Sequence, residues 1–135
     1  MVEAREAVPA LVQIRYQNLG GCLIVRVAGE VGPQAAPFLR DSLIAKVAEG
    51  NARLVVDLSR VPSMDVAGLP ALLAAQHEAE ASGGSLRVVG VQPPVRKVLH
   101  GNVRRGGLVV DDEMSDALEA TMEAAARTTQ PISRR

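Results

Sequence analysis

The stretch that decides the fold runs from residue 54 to residue 73 and reads Leu54-Val-Val-Asp-Leu-Ser-Arg-Val-Pro-Ser-Met-Asp-Val-Ala-Gly-Leu-Pro-Ala-Leu-Leu73. Its beginning is an apolar run of strand length, as expected of a central strand that is covered on both faces. A polar loop follows. From Gly68 onward the apolar residues Leu69, Leu72 and Leu73 recur at helical spacing. We therefore predict a strand, a loop and then a helix over residues 68–81.

The rest of the chain continues this alternation. A Gly-containing turn at residues 18–21 is predicted to join the first two strands as a hairpin. The complete predicted order is β-β-α-β-α-β-α-β-α. Strands that alternate with helices pair in parallel through right-handed crossovers. The sequence thus predicts an α/β fold with a central mixed β-sheet covered by helices. We expect one domain over residues 11–127, with flexible termini at 1–10 and 128–135.

Composition excludes several classes of function. The chain has 15 Lys plus Arg and 15 Asp plus Glu, so no overall charge attracts nucleic acid or an anionic membrane. Its single cysteine, Cys22, excludes an intramolecular disulfide and any site with several cysteine ligands, and it is interpreted as a small core residue. We find no apolar run long enough for membrane insertion and no signal peptide, so the cytoplasm is expected. No cofactor, no metal and no nucleic-acid partner is predicted.

Three stretches in order resemble the STAS domains found in anti-sigma factor antagonists and in sulphate transporter tails. Residues 57–69 look like the family's signature loop, which reads Asp-Leu-Ser-x-Val-x-x-hydrophobic-Asp-Ser-Ser/Ala-Gly-Leu. Residues 27–39 resemble its Gly-Glu-Leu-Asp loop and first helix, and residues 84–99 resemble the strand and short helix after the second helix. The resemblance covers about residues 11–125 and implies a STAS-like fold.

The resemblance also implies a function. An antagonist of this family binds an anti-sigma factor, often one with a protein kinase fold, and so frees a sigma factor. We therefore expect a non-enzymatic protein-binding module, present as a monomer or weak homodimer. The residues expected at the partner surface come from the two loops and the start of the second helix: Gly29, Glu30, Gly32, Ser59, Ser63, Asp65, Val66, Ala67, Gly68 and Leu69.

This chain departs from the family pattern at the regulatory position. In the family, phosphorylation of a serine at the start of the second helix blocks binding, because a phosphate adds about −1.5 to −2 charges. The matching residue here is Val66, followed by Ala67, and neither has a hydroxyl. Gly32 replaces the aspartate of the Gly-Glu-Leu-Asp loop. We predict that the usual switch is absent. Ser59 and Ser63 are candidate substitute phosphosites, although solvated loop serines are the favoured interpretation.

Asp65 precedes the predicted second helix and has two compatible roles. The first is an N-cap that accepts backbone N–H groups at the helix start. The second is a contact at the partner surface.

Two other functions stay open at this point. One keeps the fold and makes the chain a STAS-like accessory subunit of a membrane transporter ATPase involved in lipid traffic. The other is a small nucleotide-binding or hydrolysing protein, although the chain has no triphosphate-binding motif. A basic cluster near His100, formed by Arg96, Lys97, Arg104 and Arg105, is interpreted as a solvated face in preference to an anion- or RNA-binding patch.

Overall fold

A computed structural model describes residues 12–100, 107–111 and 113–128. Its elements follow the predicted order: β1 Val12–Leu19, β2 Cys22–Gly29, α1 Ala35–Ala48, β3 Arg53–Arg60, α2 Gly68–Ala81, β4 Ser85–Val89, α3 Pro93–His100, β5 Val109–Asp111 and α4 Met114–Thr128. The termini predicted to be flexible lie outside the described residues, except that Thr128 closes α4.

The five strands form one mixed sheet in the order β1-β2-β3-β4-β5. β1 and β2 are antiparallel, whereas β3, β4 and β5 continue the sheet in parallel. The hairpin turn is tighter than predicted, because Leu19 already pairs with Cys22 and only Gly20 and Gly21 form the loop. Both glycines have positive φ, 60° and 84°, which two-residue turns of this kind require and which glycine adopts without strain.

The period-2 alternation of the strands divides the apolar side chains between two layers. On one face, Leu54, Val56 and Leu58 of β3 join the main core with residues of α1, α2 and α3. On the other face, Val55 packs with Ile24 of β2 and with α4. β3 is therefore buried on both sides, which explains the nearly continuous apolar run in its sequence and confirms the prediction of a central strand.

Cys22 lies in the second, smaller layer. Its side chain is buried beside Ile24 and Val55, as predicted for a core residue. Burial raises the pKa of the Cys22 thiol, with a smaller opposing effect from the nearby charge of Arg53. Because the thiolate is the reactive form, this environment favours an inert thiol.

α4 covers only part of its face of the sheet. It packs over Ile24, Val55 and Val89. Two residues further along β2 and β3, on the same face, stand Arg26 and Asp57. Arg26 is exposed and Asp57 is half-buried. The carboxyl ends of these two strands are thus left as an open, polar surface.

Candidate functional site

Backbone hydrogen bonds join the two loops that the sequence predicts at a partner surface. The Val31 N–H donates to the Ser63 carbonyl over 3.1 Å, and the Asp65 N–H donates to the Val31 carbonyl over 2.7 Å. Val31 and Met64 thereby form a parallel β-bridge outside the main sheet. Both side chains are buried in the core, and this packing holds the bridge in place. The loop at 29–32 therefore lies directly beside the segment that leads into α2.

Asp65 shapes the entry to α2. Its Oδ2 accepts a hydrogen bond from the Ala67 N–H over 2.9 Å, and its carbonyl accepts one from the Gly68 N–H over 2.8 Å. The N-cap position itself falls on Ala67, which has no side chain able to cap. Asp65 is therefore not the N-cap that the sequence predicted; its carboxylate instead closes a turn immediately before α2. Its negative charge also lies at the helix end that favours anions.

Gly68 and Leu69, both predicted at the partner surface, are buried instead. Leu69 is only 5% exposed and belongs to the main core. The Met64 side chain packs against Gly68 so closely that a Cβ at residue 68 would overlap the Met64 Cγ. Neither residue offers a side chain to a partner, because the apolar stripe of α2 points toward the sheet from its first turn.

The residues of this region that do reach the surface form what we call the α2-start surface: Glu30, Gly32, Ser63, Asp65, Val66 and Ala67. Glu30, Ser63 and Val66 are exposed, and the other three are half-buried. Among the large apolar residues that the structure describes, Val66 is the most exposed, at 68%. Pro62 and Pro70, four residues before and after it in the chain, are also exposed. The surface is therefore apolar at its centre, with Glu30 and Asp65 as its acidic groups.

Two predicted contacts remain. Gly29 is the last residue of β2, where it is half-buried and pairs with Val12. Ser59 lies elsewhere. It sits at the end of β3, where its N–H donates to Asp57 Oδ1 over 2.9 Å and its carbonyl accepts from Gln92 Nε2 over 2.8 Å. It lines a groove together with Arg26 and Arg60, and neither Ser63 nor Val66 is among the lining residues.

The comparison with known proteins identifies the family. A family model described as "Mlab, STAS domain" matches residues 14–102. The chain belongs to the STAS-domain family. This STAS domain is 28% identical over 88 residues to the anti-sigma F factor antagonist of Paenibacillus polymyxa, a match that covers 64% of the chain and 75% of the relative.

Solved structures of other proteins have the same fold as this chain. The STAS domain resembles the crystal structure of an anti-sigma factor antagonist from Mycobacterium paratuberculosis with a TM-score of 0.72 and 26% identity, covering 87% of the chain and 99% of that structure. It also resembles the antagonist SpoIIAA in its unphosphorylated form, with a TM-score of 0.60, 20% identity and the same two coverages. At that identity the second likeness shows the fold alone.

Other predicted features of the STAS domain are weaker candidates for function. No group of three or more His, Cys, Asp or Glu side chains in the described residues could hold a metal ion. None of the helices in the described ranges is long and apolar enough to cross a membrane. His77 is exposed on α2, as are Arg96 and Lys97 on α3. Arg104 and Arg105, the other arginines of the predicted basic cluster, lie outside the described residues.

Proposed function

We propose that this STAS domain is an anti-sigma factor antagonist, which binds an anti-sigma factor through the α2-start surface and so frees a sigma factor. The names of a relative at 28% identity and of a solved structure at 26% identity support this function. The observation that carries the choice of surface is the exposure of Val66 at the centre of two loops held together by backbone bonds. This role would place the protein in the cytoplasm, where sigma factors act.

The α2-start surface suits protein binding because it is already ordered. The bonds through Val31 hold its two loops in one arrangement, and Asp65 fixes the first turn of α2. A preformed surface loses less conformational entropy on association than a mobile one. An apolar centre with polar groups around it is also the usual anatomy of a protein interface.

Regulation in this chain would differ from that of relatives with a phosphorylatable residue. SpoIIAA has solved structures in both its unphosphorylated and its phosphorylated form. In our proposal Val66 occupies the position of the family's phosphorylated serine, and neither Val66 nor Ala67 has a hydroxyl that could accept a phosphate. Binding would then be constitutive, and the level of the protein would control it.

The expected partner is an anti-sigma factor of the protein-kinase fold. Gly32 removes one acidic side chain that such a partner would meet in the family pattern. Glu30 is exposed two residues away, and Asp65 is half-buried in the segment that is bonded to this loop through Val31. These two carboxylates would supply the acidic contacts. A partner with basic groups facing an apolar pocket would match this arrangement.

The test is an affinity capture from an extract of the source cells with tagged wild-type protein, V66E and H77E, read by mass spectrometry. H77E is the matched control, because His77 is exposed on α2, nine residues or about 14 Å beyond the first residue of that helix, Gly68. Calorimetry with the purified captured protein then gives the dissociation constants. We expect an anti-sigma factor to bind the wild type and H77E equally, and V66E at least about tenfold more weakly.

Two outcomes would contradict the proposal. Equal binding of V66E and the wild type would remove the assigned surface. Capture of a transporter ATPase in place of an anti-sigma factor would favour the second candidate, an accessory subunit of such an ATPase. The absence of a hydroxyl at residues 66 and 67 is compatible with that role, which requires no phosphorylation at this position.

A further inference from the structure

An open groove with three arginines lies on the face of the sheet that α4 leaves uncovered. It has a volume of about 330 Å³ and is built from β1, β2 and β3. Its charged and polar side chains are those of Gln13, Arg15, Arg26, Asp57, Ser59 and Arg60. We call it the arginine groove. α2 packs on the other face of the sheet, so Val66 does not line this groove.

The cross-strand pairing inside the arginine groove is unfavourable. Arg15 of β1 is the direct antiparallel partner of Arg26 in β2. Opposed side chains in such a pair have Cβ atoms about 5 Å apart, and like charges placed there destabilise the sheet. Both arginines are exposed on the same face. This pair weakens the sheet unless negative charge lies nearby, and Asp57 on β3 supplies only one such charge.

The carboxylate of the groove is already engaged. Asp57 neighbours Arg26 in the parallel register, and its Oδ2 lies 3.8 Å from Arg26 Nε. Its Oδ1 accepts the Ser59 N–H. Arg26 Nη1 in turn donates to Gln17 Oε1 over 2.6 Å. Within residues 12–100, 107–111 and 113–128, no carboxylate lies within 4.0 Å of the charged nitrogens of Arg15 or Arg60.

The groove therefore has a surplus of positive charge. Three guanidinium groups face one carboxylate, which leaves two uncompensated charges on a chain whose formal net charge is zero. Ala28 pairs with Gln13 on one side and with Arg60 on the other, so the side chain between these two longer ones is small. The groove's volume of about 330 Å³ leaves room for a compact anion.

We propose that the arginine groove binds a phosphate group carried by a small molecule. A phosphate dianion matches the two surplus charges. The planar guanidinium fork donates two parallel hydrogen bonds to such oxygens, which lysine cannot do. The Ser59 hydroxyl and the Gln13 amide add neutral donors at the rim. This inference does not depend on the proposed partner or on the α2-start surface.

The test is an NMR titration of ¹⁵N-labelled protein with inorganic phosphate, pyrophosphate and adenosine monophosphate, each against sodium chloride at matched ionic strength. The variants are R15Q and R60Q, and R96Q is the control because Arg96 is an exposed arginine on α3. We expect saturable shifts at the start of β1 and at the ends of β2 and β3. Affinity should fall about tenfold in R15Q and R60Q and stay unchanged in R96Q. The three probes distinguish a free phosphate from one attached to a nucleoside.

Thermal unfolding gives a second readout that a purely structural arginine would not produce. R15Q relieves the repulsion with Arg26, so its melting temperature without phosphate should equal or exceed that of the wild type. A ligand that binds the folded state raises the melting temperature, and this rise should be reduced in R15Q. The proposal is overturned if no probe gives a saturable shift at millimolar concentration. It is equally overturned if folded R15Q and R60Q both bind as tightly as the wild type.

Discussion

Replacing Asp65 by alanine tests how the start of α2 is held. The Asp65 carboxylate accepts the Ala67 N–H over 2.9 Å in a half-buried setting. Ala67 occupies the N-cap position and has no side chain that could substitute for this acceptor. The substitution therefore leaves a donor at the helix start without its partner and also removes a negative charge from the positive end of the helix dipole.

The expected cost follows from these two losses. Losing the hydrogen bond between a backbone N–H and a half-buried carboxylate costs about 1 kcal/mol, and removing a favourable charge next to a helix N-terminus costs about 0.5 kcal/mol more. D65A should thus lower the free energy of unfolding by about 1.5 kcal/mol. D65N keeps an oxygen acceptor, so it should lose only about 0.5 kcal/mol. For a domain of 135 residues, the D65A melting temperature should fall by roughly 5 °C.

Urea unfolding followed by circular dichroism measures both variants. D41A is the control, because Asp41 is an exposed acidic residue on α1 whose ion pair with Arg40 lies at the surface, and it should change stability by less than about 0.5 kcal/mol. The denaturant slope should stay constant throughout. If D65A is as stable as D41A, the hydrogen bond from the Ala67 N–H to the Asp65 carboxylate does not stabilise the start of α2. If D65N is as unstable as D65A, the charge and not the hydrogen bond matters.

Three further substitutions probe other parts of the structure. G68A should cost about 1–3 kcal/mol in urea unfolding, because the new Cβ displaces the buried Met64 side chain; unchanged stability would mean that Met64 moves freely. D111N removes the charge that accepts two bonds from Arg87, of 2.7 and 3.0 Å, so amide exchange in β5 should accelerate and stability should fall by about 1–3 kcal/mol; unaltered exchange would show that this ion pair does not hold the edge strand. Burial raises the pKa of the Cys22 thiol in the folded state, so its contribution to stability is complete below about pH 8.5 and is lost as pH rises through the folded pKa. In urea unfolding at a series of pH values, C22A should not show the loss of stability that the Cys22 thiol causes above that pH. An identical pH profile for C22A and the wild type would contradict the raised pKa of this thiol.

Much of the fold could be read from the sequence because local signals agreed with one another. The apolar run of β3 predicted burial on both faces, and Leu54 and Val55 indeed point into opposite layers. The helical spacing after Gly68 and the glycines at 83 and 84 predicted α2 within its observed bounds. These features depend on backbone preferences and on the spacing of apolar residues. Both are properties of residues close together in the chain.

The candidate site was only partly predictable. The resemblance to STAS domains placed residues 29–32 and 63–67 at one surface, and the bonds through Val31 join them. It also placed Leu69 there, although the rotation of α2 turns Leu69 into the core. Ser59 likewise faces the arginine groove. Which way a residue faces at the first turn of a helix or at the end of a strand depends on how that element packs, and a linear motif does not contain this information.

By itself, then, the sequence determined the element order, the central place of β3, the buried role of Cys22 and the lack of a hydroxyl at residues 66 and 67. Only the tertiary structure decided that Val66 is exposed while Leu69 is buried, and that Arg15 stands opposite Arg26. The physical reason is the range of the interactions. Backbone preferences and apolar periodicity act over a few residues, whereas strand register and the reach of α4 over the sheet depend on contacts between segments far apart in the chain.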